Sequence, residues 1–483
     1  SMSEILKLSP ELVWKHFYEM NQIPRPSKKE ERIQAHFKAE AEKRGLEVLQ
    51  DEIGNLLIRK PATPGYENAP AVIIQGHTDM VCQKNDGTEH DFDKDPIDMY
   101  IDGEWVKAKG TTLGADNGMG VAMGMAILDD PEAEHGPLEI LLTVDEEAGM
   151  GGVRAMKAGW MKGKYLINLD SEEIGKCFVG CAGGVDVGYS ASLNYDAEQY
   201  GKFVKVTLKG LKGGHSGIDI HKGRESANAL LAECLSSLSQ QMPIRLVSFV
   251  GGTLRNALTR EATAVIAYDE THGDFLKEHF AHWQKHLANR LQNIDEGVQL
   301  SYEETEAASS MSSQDSHHLL SFLTLLPQGV LKRSAILPVV ETSCNIGTVS
   351  VTEKGGLSVG LLARFLTQEG FEMIKVKTKN LGELSGYFWQ AKNDYPSWKP
   401  NLDSKPLQTL QRIYEEKHGK PMGVEVIHAG LETGLIGKLY PDLEMVSFGP
   451  TIKGAHSPDE RVNIPAVAEI YELTKELLKA LKD

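Results

Sequence analysis

Leu138-Glu-Ile-Leu-Leu-Thr-Val-Asp-Glu-Glu-Ala-Gly-Met-Gly-Gly152 sets the terms for the whole chain. Its apolar run, Leu138 to Val144, is rich in branched side chains and reads as a strand buried on both faces. The run stops at Asp145-Glu146-Glu147 and passes into glycines. Three carboxylates at a strand end repel one another unless something cationic faces them. Open α/β sheets bind ligands in the crevice beyond the carboxyl ends of their strands. A solvated acidic loop accounts for the triplet taken alone, so the decision falls to the rest of the chain.

The same pattern recurs three times. Ala71–Gln75 runs straight into Gly76-His77-Thr78-Asp79, and Tyr165–Leu169 ends in Asp170. Glu444–Phe448 leads into a loop carrying Gly454-Ala-His456-Ser-Pro458. Between them, Gly110–Gly120 is a glycine-rich turn opening a helix to about Leu128, with Asp116 at its start. It matches neither the dinucleotide fingerprint nor the phosphate-cradling loop. Asp116 stands where N-caps sit, and capping alone would explain it. Singly, His77 reads as a core histidine, Asp170 as a turn former and His456 as a surface loop residue. Together they fall on one edge of a parallel sheet, because strands alternating with helices imply such a sheet. The expected class is α/β, a mostly parallel-sheet catalytic domain with helices on both faces. Upstream, Ser9-Pro10-Glu11 predicts a helix start with Ser9 as N-cap, and Ser27 is placed to cap a second helix over 28–45.

Residues 187–395 have a different texture. Alternating segments at Phe203–Leu208, Leu246–Val250 and Ala262–Tyr268, with helices near 226–240 and 273–292, predict an α+β, ferredoxin-like unit. A related pattern recurs over 312–386. The expected division is a first catalytic part at 1–186, an inserted domain at 187–395 and a second catalytic part at 396–483. An insertion of this kind over a ligand crevice is a candidate lid.

Bulk properties narrow the partners. At 483 residues the chain exceeds one hydrophobic core. Its 41% apolar and 25% charged content is that of a soluble globular protein. A net charge of −17 argues against nucleic acid and anionic membrane. Five scattered cysteines imply a reducing compartment, and Cys177 with Cys181 lacks the second pair of a zinc ribbon. No basic, apolar leader and no run of apolar residues long enough for a membrane span is present, which predicts a cytoplasmic protein.

Two histidines with several carboxylates and no thiolate suit zinc, cobalt or manganese. The carboxylates exceed what one tetrahedral ion needs, so two ions sharing one carboxylate are expected. In extended chain His77 and Asp79 point the same way. Asp79 then binds metal itself or fixes the tautomer of His77, and the second is preferred. Glu146 and Glu147 diverge in extended chain, leaving one for metal and one to face substrate as general base.

With these residues assembled, the chain resembles the co-catalytic zinc peptidases and aminoacylases that share a split catalytic domain and an inserted lid. Within them it is most similar to the aminoacyl-histidine dipeptidases, which cleave carnosine-type dipeptides. The resemblance is carried by Gly76–Val81, Thr112–Gly118, Thr143–Gly152, Leu166–Asp170, Gly213-Gly-His-Ser-Gly217 and His428-Ala-Gly-Leu-Glu432. It implies that His77, Asp116 and Asp170 hold one ion and Asp116, Glu147 and His456 the other. Glu146 would be the general base and Asp79 the orienter of His77. His215 in the lid would be an oxyanion donor, against a plain reading as a histidine in a tight turn. Asn256 and Arg364 would contact the substrate carbonyl and terminal carboxylate, and Glu432 a free α-amine. Leu258-Thr259-Arg260 departs from the expected Ile-Pro-Arg. A homodimer through the lid is also implied. The alternatives are an N-acyl-amino-acid deacylase or carboxypeptidase on the same scaffold, and a metal-dependent binding protein without turnover.

Overall fold

The computed structural model describes residues 2–195, 197, 200–352 and 354–483. The chain forms two compact units: residues 1–180, 398–426 and 431–483 make the first, and residues 181–397 with 427–430 the second.

The first unit is built on an eight-stranded sheet. Four strands at its centre are parallel, in the order Leu138–Thr143, Val72–His77, Tyr165–Asn168 and Glu444–Ser447. Antiparallel strands flank them, Leu56–Lys60 and Glu47–Gln50 on one side and Lys176–Cys181 on the other, with Gly423–Ile427 beyond. Leu138–Thr143, Val72–His77 and Tyr165–Asn168 are buried at every position, their polar residues Glu139, Gln75, His77 and Asn168 included. Register sets His77 opposite Thr143 and both Gln75 and Ser447 opposite Asn168, so the first two strands run two residues beyond the others at the same edge.

The helix Ala115–Asp129 packs on the strand carrying His77 and is buried from Ala115 to Leu128. Its composition, apolar and glycine-rich all round, fits a helix with no solvent face. Gly76 and Gly120 allow that approach: a Cβ on Gly76 would lie 2.5 Å from Asn117 Oδ1, and one on Gly120 would run into the Leu169 carbonyl.

Two predicted caps differ from the structure. Pro10, not Ser9, precedes the helix Glu11–Asn21, and no side chain caps it. The next helix starts at Glu31, because the chain turns through Lys28 at φ 71° and spends Ser27 elsewhere. The Ser27 hydroxyl donates to Asp79 Oδ2 at 2.5 Å.

The second unit carries a nine-stranded sheet made of two halves. In the first, chain order is strand Lys202–Lys209, helix Ala227–Ser239, strands Ile244–Gly251 and Ala262–Tyr268, helix Gly273–Arg290 and strand Gln299–Glu304. Its sheet order is fourth, first, third, second, the ferredoxin-like arrangement. The other half repeats it with helices Ser313–Leu325 and Gln368–Ser385 and strands Val340–Val351, Gly356–Phe365 and Phe388–Tyr395. Its first strand is Gly183–Ser192, which precedes the whole of the first half in sequence. The halves join where Ile244–Gly251 pairs with Val340–Val351, and one apolar core runs beneath both.

Candidate active site

Beyond the carboxyl ends of the parallel strands, the chain gathers the acidic and histidine residues singled out by sequence. His77 closes its strand with a fully buried ring. Its Nδ1 lies 3.0 Å from the Asp79 carbonyl and 3.2 Å from Asp79 Oδ1, so one proton on that nitrogen serves both. The other nitrogen, Nε2, faces carboxylates: Asp116 Oδ1 at 3.1 Å, Glu146 Oε2 and Asp170 Oδ2 at 3.5 Å, and Glu147 Oε1 at 3.6 Å. His456 Nε2 faces Asp116 Oδ2 at 2.8 Å and Glu147 Oε2 at 3.1 Å. Each oxygen of Asp116 therefore meets a different imidazole.

Asp116 is not an N-cap. Gly114 precedes the helix in a left-handed conformation, while Asp116 keeps an extended φ/ψ of −84° and 104° inside its first turn. Two groups hold it there. Glu460 accepts the N–H groups of Leu113, Gly114 and Asp116 at 2.8, 3.0 and 3.1 Å. Buried Arg25 donates to the carbonyls of Gly114 and Thr78 at 2.9 and 3.0 Å, tying the turn to the strand end. Asn117 completes the brace, accepting the His77 N–H at 3.0 Å and donating to the Leu169 carbonyl at 2.7 Å.

Glu146 and Glu147 do not diverge as extended chain would require. Asp145 takes φ 54° and turns the backbone, so both carboxylates reach toward His77. The Asp79 carboxylate anchors the pair, accepting the Glu146 N–H on Oδ1 and the Glu147 N–H on Oδ2, each at 3.1 Å.

The electrostatics show what this crowding demands. Desolvation, then the neighbouring carboxylates, hold Glu146 and Asp170 well above the ordinary carboxylate range, though His77 pulls the other way. Desolvation also raises Glu147, against its bond with His456. Hydrogen bonds to Asp116 and Glu147 push His456 up to about 11. Burial would lower His77, yet the facing carboxylates raise it well above its usual value. Asp116 stays ionised, because His456 and His77 outweigh its burial. Protons collect wherever positive charge is needed. Divalent cations answer that need with the donors present: imidazole nitrogens and carboxylate oxygens. The ligand atoms of His77, Glu146 and Asp170 lie within 4.8 Å of one another, as do those of His77, Asp116 and Glu147.

Of the remaining candidates, three belong to the second unit and Glu432 to the first. His215 and Asn256 belong to the second unit, where Gly214–His215 pairs with Ala257–Leu258 and the Ser216 N–H donates to the Asn256 carbonyl. His215 Nδ1 accepts the N–H groups of Gly217 and Ile218, both at 3.0 Å. Arg364, also in the second unit, is 3% exposed and donates to Ser216 Oγ at 3.1 Å and Tyr395 Oη at 3.5 Å. Glu432 is buried in the first unit and accepts from Gln75 Nε2 at 2.9 Å and Thr143 Oγ1 at 2.7 Å.

Sequence reading passed over Glu172, Glu460, Arg25 and Asn117. Glu172 lies two residues beyond Asp170 and shares a hydrogen bond with Asp116; desolvation and that neighbour push it up to about 8. The rule that found Asp170, carboxylates just past a buried strand, reaches Glu172 as well. Nothing local marks Glu460, which acts 344 residues from Asp116 in sequence.

The chain is 44% identical over 485 residues to the cytosol non-specific dipeptidase of Escherichia coli (strain K12), covering 99% of each. It is also 44% identical to the solved aminoacylhistidine dipeptidase of Vibrio alginolyticus, with a TM-score of 0.94 over 99% of this chain and 98% of that one. An aminopeptidase from Bacillus cereus shares the fold at 17% identity, with a TM-score of 0.57 over 99% of this chain and 100% of that one. The model of peptidase family M20/M25/M40 matches residues 73–482, and the chain belongs to that family.

Proposed function

We propose that this protein is a dipeptidase that uses two divalent metal ions, zinc by preference, and favours dipeptides with a carboxyl-terminal histidine. The observation that carries the two-ion reading is Asp116, whose Oδ1 faces His77 at 3.1 Å and whose Oδ2 faces His456 at 2.8 Å. A carboxylate with an imidazole on each oxygen is placed to bridge two cations. His77, Asp116 and Asp170 would hold one ion, and Asp116, Glu147 and His456 the other. Both whole-length relatives bear the name dipeptidase, one non-specific and one aminoacylhistidine, and the histidine preference is taken from the second. The cytosol of the first relative's name is carried over as the compartment.

When bound, such ions polarise the scissile carbonyl and lower the pKa of an attacking water. Glu146, whose Oε2 lies 3.5 Å from His77 Nε2, takes the proton of that water and returns it to the departing amine. Asp79 fixes the tautomer of His77 through Nδ1. His215 donates from Nε2 to the developing oxyanion, with Asn256 beside it on the substrate carbonyl. Arg364 receives the terminal carboxylate, which suits a buried guanidinium with no ion pair among the described residues. Glu432 meets the α-amine through the lone pairs its two hydrogen bonds leave free. A homodimer through residues 187–395 completes the reading.

A panel of β-Ala-His, Gly-His, Gly-Leu and N-acetyl amino acids tests it, with kcat/KM measured on metal-loaded protein. Dipeptides should turn over and the His dipeptides lead. Hydrolysis of the N-acetyl amino acids alone would establish a deacylase instead.

A further inference from the structure

Three consecutive backbone N–H groups, those of Asp145, Glu146 and Glu147, each end on a carboxylate. Asp79 takes the last two at 3.1 Å each. The first goes to Glu30 Oε2 at 2.5 Å. Glu30 is only 4% exposed and sits just before the helix Glu31–Lys43, 115 residues from Asp145. Its segment also supplies Ser27, whose hydroxyl holds Asp79 Oδ2 at 2.5 Å. One short stretch, Ser27 to Glu30, thus grips both halves of the clamp.

We infer that Glu30 is a positioning residue for the Glu146–Glu147 pair: it sets the left-handed turn at Asp145 that brings both carboxylates round toward His77. The inference rests on the assignment of Glu146 as general base. Asp145 has φ 54°, in the left-handed region that few residues other than glycine adopt, Asp more readily than most. The Asp145 amide is buried, and Glu30 is the partner that satisfies it. Without that acceptor the amide is orphaned, and the turn relaxes by swinging toward extended backbone. Rotation at Asp145 swings the residues that follow it as a body, so both carboxylates shift away from His77 together. Glu30 lies behind the turn, against a cavity of about 600 Å³ lined also by Glu31, Gln34 and Lys38. Its hydrogen bond to the pair's backbone runs through the Asp145 amide.

The test separates reach from charge. Glu30→Gln keeps an acceptor oxygen at the same distance, Glu30→Asp withdraws it by one methylene, and Glu30→Ala removes it. With Gly-His and saturating zinc, kcat should fall about 10–100-fold in the Ala and Asp variants, with KM changed less than about twofold. The Gln variant should stay within about threefold of the parent. Glu31→Ala, in the same cavity wall but without a bond to the turn, should leave kcat unchanged. If Glu30→Ala does not fold, the Asp and Gln pair decides. Parent-like kcat in Glu30→Asp, or a Gln variant as slow as Ala, would overturn the inference. Glu146→Gln, run in parallel, guards the underlying assignment: normal turnover there removes the general base itself, whereas a dead Glu146→Gln beside an active Glu30→Asp removes only the positioning role.

Discussion

His215 Nδ1 accepts the backbone N–H of Gly217 at 3.0 Å, and that bond settles the tautomer of the ring. An imidazole nitrogen that accepts carries no proton, so Nε2 bears it and is a donor. Burial, together with the charge of Arg364, lowers the His215 pKa and keeps the ring neutral. A neutral N–H donor of fixed orientation is what an oxyanion requires. His215→Ala is expected to lower kcat about 10²–10³-fold with a small effect on KM, read from steady-state dipeptide hydrolysis.

Arg364 should discriminate among carboxyl termini. Desolvation lowers its pKa, Ser216 and Tyr395 are neutral partners, and its Nε has none. A buried cation held this way gains most from an anion that arrives with the substrate. The free dipeptide is expected to beat its carboxyl-terminal amide in kcat/KM by about 10²-fold or more. Arg364→Ala should erase most of that ratio, chiefly by raising KM for the free acid. An unchanged ratio would remove Arg364 from the substrate site.

The first unit has an acid-sensitive tie away from the cluster. The Asp129 carboxylate pairs with Arg44 through Nε and through Nη2, the latter at 2.8 Å, and takes His16 Nε2 at 2.9 Å. Burial opposes the charge, but these bonds depress the Asp129 pKa. A depressed carboxylate stabilises the fold above its unfolded value near 4, and that contribution drains away as pH falls through this value toward the folded one. Asp129→Asn should cost about 1–3 kcal/mol at pH 7. In urea unfolding the gap between parent and variant should hold down to about pH 5 and narrow below about pH 4.

The chemistry-bearing residues were legible because their signal is local: a buried strand has an unmistakable apolar run, and polar residues just past its end stand out against it. His77, Asp170 and the Asp145–Glu147 triplet all announce themselves this way. The supporting shell has no such marker. Glu30, Arg25 and Glu460 act through backbone N–H and carbonyl groups, which every residue carries, so the sequence offers no complementary partner to search for. The divergence expected of Glu146 and Glu147 failed for a related reason. It assumed extended backbone, and the chain instead turns after Asp145, with the Glu146 carbonyl accepting the Met150 N–H. In the second unit, the repeat expected over 312–386 lacks its opening strand, because that strand, Gly183–Ser192, is separated from it by the entire first half.

Metal removal and return bear most directly on the central assignment. Protein dialysed against a chelator should lose dipeptide hydrolysis completely and bind two equivalents of zinc or cobalt per chain on reconstitution. Activity should return with them. In His456→Ala the stoichiometry should fall, while Glu146→Gln should take up both ions and remain inactive. A demetallated sample that still cleaved Gly-His at the parent rate would contradict the two-ion site outright.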